Sequence, residues 1–189
     1  MITDFDEKTQ KILLNLEKTQ RDFWNISRPT ALFLYNLIEK EGLVHGLEVG
    51  TSNGYSGIWL STALKRNGGT LDTIEYYEKR YSIARHNFEE CGTSDVVTIH
   101  PGSACDILRE LPEDFKIDFA FVDANKRESV DYFNLIHPHL KVGGIYTCDN
   151  VLSHKEKVQT YIDAINAHPD YLHSVLELPA GLSFARKIR

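Results

Sequence analysis

Apolar residues recur along this chain in two alternating rhythms, one helical and one strand-like. Ile12, Leu13 and Leu16 share one face of a helical pattern from about residue 5 to 23. After a break at Phe23–Pro29, Ala31, Leu34, Tyr35 and Ile38 recur at i, i+3, i+4 and i+7. Ser27 is placed to cap that helix, Pro29 suits its first turn and Gly42 stops it. A strand then ends in Leu47-Glu48-Val49, and a helix is predicted from about 55 to 66, closed by Asn67-Gly68-Gly69. Further strands are predicted at Thr70–Glu75, Val96–His100, Ile117–Asp123 and Ile145–Cys148. Between them lie helical patterns through Tyr81, Ala84 and Phe88, through Ile107, Leu108 and Leu111, and through Val130, Phe133 and Ile136. Lys141-Val142-Gly143-Gly144 reads as the turn into the fifth strand. A last helix uses Val158, Tyr161, Ile162 and Ile165, and two closing strands near 174–178 and 182–186 are too close for anything but an antiparallel pair.

Strands that alternate with helices five times and end in a hairpin predict an α/β fold. It is a doubly wound, Rossmann-like, seven-stranded sheet, mostly parallel with one antiparallel strand and helices on both faces. The near-continuous apolar run Ile117–Val122 suits a strand covered on both sides. At 189 residues the chain is read as one domain, 1–189, with an N-terminal helical region over 1–42. That region is read as packing on the domain's flank. Its apolar stripe is also the surface on which a lid or a homodimer contact would form.

Composition narrows the function classes. With 42% hydrophobic and 25% charged residues the chain is globular rather than disordered. A net charge of -6 argues against a nucleic-acid partner. No apolar run has the length of a membrane span, and Met1–Glu7 is acidic with no apolar leader core. The expectation is therefore a cytoplasmic protein with neither a membrane nor a nucleic-acid partner. Cys91, Cys105 and Cys148 are odd in number and far apart, which suggests reduced thiols rather than disulfides or a zinc site.

The stretch Leu47-Glu48-Val49-Gly50-Thr51-Ser52-Asn53-Gly54-Tyr55-Ser56-Gly57 is the one the rest is organised around. It reads as strand, tight turn and helix N-terminus, an arrangement that aims backbone N–H groups at a ligand. Glycine at 50 and 54 permits positive φ and close approach. The spacing G-x-x-x-G-x-x-G is neither the dinucleotide fingerprint nor a Walker loop. Glu75 ends the next strand, where a carboxylate is placed to accept hydrogen bonds from a ribose diol. Asp123 ends the fourth strand and Asp149-Asn150 the fifth. Adjacent strand ends lie about 5 Å apart, and two carboxylates with an amide oxygen form a hard donor set for magnesium, manganese or calcium. The competing readings are a helix cap for Asp123 and a turn for Asp149-Asn150. Lys126, three residues after Asp123, is either a general base for a hydroxyl or a solvated helix lysine. His154 is either a pocket residue that moves a proton or part of a surface loop.

These residues resemble a family. The first motif with its glycine-tyrosine-serine, Ile74-Glu75, Gly102-Ser103-Ala104, Phe121–Lys126, Gly143-Gly144 with Asp149–Leu152, and Gly181–Lys187 are together similar to the class I S-adenosylmethionine-dependent methyltransferases. Within them, the similarity is to the small-molecule O-methyltransferases related to catechol and caffeoyl-CoA O-methyltransferases. The resemblance covers roughly 25–189. It implies an enzyme that passes the methyl group of S-adenosylmethionine to a hydroxyl of a small molecule, assisted by a divalent cation, Mg2+ by preference. Glu48, Gly50, Ser52, Ser56, Glu75, Ser103 and Asp123 would surround the cofactor. Asp123, Asp149 and Asn150 would hold the metal, and Lys126 would act as base. The chain departs from the family in its short N-terminal region, its brief Val151–His154 loop and the absence of a tryptophan after Asp123. Trp24, Tyr55 and Tyr146 are the aromatic candidates for the acceptor pocket. Two other functions stay open on sequence alone: a metal-independent transfer to an amine or other acceptor, and a cofactor-binding protein without catalysis.

Overall fold

The apolar runs assemble as β1 (His45–Val49), β2 (Thr70–Glu75), β3 (Val97–Pro101), β4 (Ile117–Val122), β5 (Leu140–Cys148), β6 (Tyr171–Leu176) and β7 (Leu182–Lys187). They form one sheet in the order β3-β2-β1-β4-β5-β7-β6. The pairings from β3 through β5 are parallel, and β7 alone runs against both of its neighbours. This is the expected topology, in a computed structural model that describes residues 5–189. Residues 1–4, most of the acidic stretch weighed above as a leader, lie outside the described residues.

The helices are α1 (Glu7–Lys18), α2 (Gln20–Phe23), α3 (Arg28–Glu41), α4 (Tyr55–Arg66), α5 (Glu78–Glu90), α6 (Ala104–Arg109), α7 (Ser129–Ile136) and α8 (Lys155–Ala167). Strand alternation splits the core. Phe119 and Phe121 face a cluster with Leu34, Tyr35, Trp59 and Phe88, so α1, α3, α4 and α5 cover one side. Ala120 and Val122 face Leu108, Phe133, Val158 and Tyr161 from α6, α7 and α8 on the other. Ser27 caps α3, accepting from Thr30 N–H, and Gly42 ends it at φ +64°.

Two local expectations change. The helix over 5–23 is two helices, because Thr19 turns its hydroxyl and N–H back onto Leu16 O and ends α1. Trp24, at φ +56°, closes α2. Lys141–Gly144 is not a turn but an irregular part of β5. Leu140 pairs with Ile117 and Ile145 with Phe119, so the residues between them bulge from the ladder. Gly144 is needed there because a Cβ would stand 2.8 Å from Lys141 O and 3.0 Å from Asp118 O. The N-terminal helix packs on the flank, as expected. Leu13 joins the core, and Glu17 on the same helix receives Arg28 and the Tyr55 hydroxyl.

Register positions the site. Val49 aligns with Ile74 on one side and Val122 on the other, and Val122 aligns with Cys148. Gly50, Glu75, Asp123 and Asp149 therefore share the C-terminal edge of the parallel strands. Among the described residues no helix is long and apolar enough to cross a membrane. Cys91, Cys105 and Cys148 are free thiols.

Candidate active site

The loop after β1 is stitched to its own protein more tightly than its glycines suggest. Gly50 and Thr51 both donate their N–H to Ile74 O, at 3.0 and 3.2 Å. Gly50 has φ +106°, and a Cβ there would lie 2.3 Å from Asp123 O. The missing side chain makes room for the end of β4, and the Gly50 N–H is taken up by Ile74 O. Gly54 (φ +84°) plays the same part against Ala84 and Phe88 of α5. The Ser52 N–H donates to Glu75 Oε2 at 2.8 Å, and its hydroxyl to Phe23 O at 2.9 Å. Ser52 thus ties the loop to β2 and to the N-terminal segment.

Glu48 lies beneath this loop, 0% exposed. Its carboxylate receives the Ser56 hydroxyl at 2.5 Å and the Thr73 hydroxyl at 2.6 Å, and Thr51 donates in turn to Thr73. Burial pushes its carboxyl up to about 7, against those two hydrogen bonds. Glu48 and Ser56 therefore brace the loop from inside. Glu75 differs. It is held at the loop's mouth by the N–H groups of Ser52 and Tyr77, and the Gly102 N–H bonds its carbonyl. That contact brings Ser103 beside it, with a hydroxyl that caps nothing on α6.

The ends of β4 and β5 carry the charge. Asp123 is anchored through its N–H to Val49 O, and Asp149 through its N–H to Val122 O. Lys126, in a 3-10 turn after β4, places Nζ 2.5 Å from Asp123 Oδ1. Asp149 is 1% exposed, and its Oδ1 has no hydrogen-bond partner. Burial and the neighbouring Asp123 carboxylate hold its carboxyl well above the usual range. Asn150 adopts φ +67°, a conformation asparagine tolerates, and its carbonyl accepts the His154 N–H. His154 itself is exposed and paired with Ser153. A buried, unpartnered carboxylate oxygen beside a second carboxylate is costly unless a cation meets it. The oxygen-rich donor set here fits a hard divalent ion.

The O-methyltransferase family model matches residues 6–182. The chain belongs to the O-methyltransferase family. Over 108 residues it is 38% identical to a catechol O-methyltransferase of Niastella koreensis, an alignment of 56% of this chain and 48% of that protein. It thus spans about half the length of that relative. An O-methyltransferase of Bacillus cereus, solved with SAH, superposes with a TM-score of 0.86 at 27% identity, over 98% of this chain and 93% of that one. The O-methyltransferase TomG of Streptomyces achromogenes, solved with SAM, gives 0.85 at 26% identity, over 97% and 91%.

Within this O-methyltransferase family member, two of the aromatic candidates are removed from the site. Tyr55 and Tyr146 are buried in the core, because their positions face the helices. Trp24 is 72% exposed, with the Arg80 guanidinium 4.7 Å from its ring centroid. Sequence reasoning passed over Tyr76 and Tyr77. Both are exposed directly after Glu75 and packed edge-to-face at 5.1 Å. An aromatic pair immediately beyond a strand-end acid was the available signal.

Proposed function

We propose that this protein transfers the methyl group of S-adenosylmethionine to a hydroxyl of a small, phenol-like molecule, with a divalent cation held by Asp123, Asp149 and Asn150. The unpartnered Asp149 Oδ1, beside the Asp123–Lys126 pair, is the observation that carries this reading. The relatives named for catechol and the neighbours solved with SAM or SAH support it. The donor supplies a sulfonium-activated methyl group, and a bound cation supplies positive charge that makes a hydroxyl more acidic.

The chain's own residues do the rest. Glu75, fixed by two backbone N–H groups, keeps lone pairs for a ribose diol, with Ser103 beside it. Asp123 and Asp149 orient the acceptor end of the site from two adjacent strands. In this reading Lys126 takes the acceptor's proton at Nζ. As the molecule stands it is the charge partner of Asp123 Oδ1, so the base role requires that pair to open. Glu48 and Ser56 act beneath the cofactor loop, keeping its shape rather than touching the reacting atoms.

The test is calorimetric titration of S-adenosylmethionine with and without magnesium, followed by magnesium into the cofactor complex of the native protein and of Asp149→Asn. The expected result is micromolar cofactor binding and a magnesium signal that the variant loses. Cofactor binding with no magnesium signal would leave a metal-independent methyltransferase. Folded protein that binds no cofactor would sink the whole proposal.

A further inference from the structure

The opposite edge of the sheet carries a second constellation. His137 follows α7 at the approach to β5. His168 and Asp170 flank Pro169 in the turn between α8 and β6. One ligand atom from each of the three lies within 4.8 Å of the others, and all three residues are half-buried. The two imidazole centroids are 4.5 Å apart, and His137 Nε2 stands 4.0 Å from Asp170 Oδ2. That gap is too long for a hydrogen bond. Ligands at about 2 Å from one tetrahedral ion stand roughly 3.3 Å apart, so closure needs a movement of about 1 Å.

The surroundings hold the three groups in place. The Tyr171 hydroxyl bonds His137 Nδ1 at 3.1 Å, which fixes that ring and leaves Nε2 toward Asp170. The turn is pinned by the Ile188 N–H on Asp170 O at 2.7 Å and by the Tyr171 N–H on His168 O at 3.3 Å. The Phe133 ring packs against both imidazoles and gives the cluster a dry wall. The Lys187 ammonium acts on both His137 and Asp170 and so opposes a further positive charge, though it is itself held by the carbonyls of His137 and Leu140. One hydrogen bond opposes metal binding as well: the Asp170 N–H donates to His168 Nδ1 at 3.2 Å, and a metal-bound His168 would give up that bond or turn its ring over.

We propose that His137, His168 and Asp170 form a second cation site, for a borderline divalent ion such as Zn2+ with water completing the shell. Two imidazole nitrogens and one carboxylate select zinc, nickel or copper over magnesium, the reverse of the oxygen-only set at Asp123, Asp149 and Asn150. The site joins the ends of α7 and α8 to the start of β6, far along the strands from the methyl-transfer chemistry. Its occupant stabilises the fold and takes no part in the reaction.

The experiment is a Zn2+ titration of the full chain already saturated with Mg2+, read by calorimetry and by melting temperature, and a parallel Co2+ titration read by absorbance. The variants are Asp170→Asn, His168→Gln and, as a control at the other end, Asp149→Ala. We expect one Zn2+ equivalent that raises the melting temperature, survives in Asp149→Ala, and weakens by more than ~10-fold in the other two. Equal melting temperatures without zinc show that the variants fold. Co2+ should give visible d–d bands and no thiolate charge-transfer band. Zn2+ binding that is unchanged in Asp170→Asn and His168→Gln assigns the ion to other histidines and overturns the proposal. So does a thiolate band, or the lack of any Zn2+ isotherm.

Discussion

The loop after β1 and the paired ends of β4 and β5 lie side by side on one edge of the sheet, yet they are finished to different degrees. In the loop one buried side-chain atom, Asn53 Nδ2, lacks a partner, but the carboxylates and the groups around them are all paired within the protein. Glu48 holds two hydroxyls, Gly50 and Thr51 share Ile74 O, and Ser52 reaches both Glu75 and Phe23. At the strand ends Asp149 Oδ1 has none. The difference separates a part of the molecule built to keep a shape from a part whose electrostatics are completed only by something else. A burial cost left uncompensated in the free protein is often where function lies.

The largest effect expected is at the unfinished end. Asp149→Asn and Lys126→Ala should each lower methyl transfer to a catechol by about 10²–10⁴-fold, the range for losing a charge-positioning or proton-transfer group. Asp149→Asn should melt no lower than the native protein in a chelator, because it removes a buried, unpaired carboxylate. Turnover assays and thermal melts on the same samples read both halves. A variant that melts much lower would make Asp149 part of the scaffold and erase the contrast.

Next comes the loop itself. Gly50→Ala drives a methyl group against Asp123 O in a backbone conformation that alanine avoids. We expect a destabilisation of about 3 kcal/mol in urea unfolding. A loss below ~1 kcal/mol would show that the loop yields easily and is not the rigid partner of the pair.

The two ends also separate by pH. Glu48 holds its proton more tightly folded than unfolded, since burial raises its carboxyl from 4.5 to about 7. Its stabilising contribution is complete below ~4.5 and is lost as pH rises through about 7, at up to about 1.4 kcal/mol per unit. Asp149, also raised, has the same sign. Urea unfolding between pH 4.5 and 8 should show both slopes in a chelator. Glu48→Gln should remove one of them. Magnesium should flatten only the part that Asp149→Asn abolishes; flattening of the Glu48 part would place the ion at the loop.

The smallest effect expected is at Ser52→Ala. Losing the hydroxyl bond to Phe23 O should cost about 1 kcal/mol and raise the KM for S-adenosylmethionine a few-fold with kcat unchanged. A fall in kcat instead would give Ser52 a part in the chemistry.

The fold was legible wherever local pattern and long-range packing agree. β2 and α4 match their predicted bounds because a β-branched run ends at an acid in one, and an apolar face is closed by Asn-Gly-Gly in the other. Gly143-Gly144 misled, since glycine pairs signal turns, and only the presence of Ile117 and Phe119 opposite reveals a bulged strand. That Asp123 and Asp149 come together was visible because strand ends converge in any parallel sheet. The crowding at Gly50 was not visible. It comes from Asp123 O, 73 positions along the chain and on another strand. Tyr55 and Tyr146 were misplaced for a related reason: which face a residue takes depends on partners the sequence does not adjoin. The His137, His168 and Asp170 cluster escaped notice because three chain segments meet there and no spacing rule links them.

The Ser52–Phe23 hydrogen bond has an optical consequence. The chain holds two tryptophans. Trp59 is 0% exposed among the rings of Phe5, Tyr35 and Tyr55, whereas Trp24 stands in solvent one residue after Phe23. Emission from the first is blue and sheltered, and emission from the second is red and open to an aqueous quencher. A ligand that shifts the loop at Ser52 pulls on the second lamp and leaves the first unchanged. The protein therefore carries both a reporter and its internal reference, with no label added.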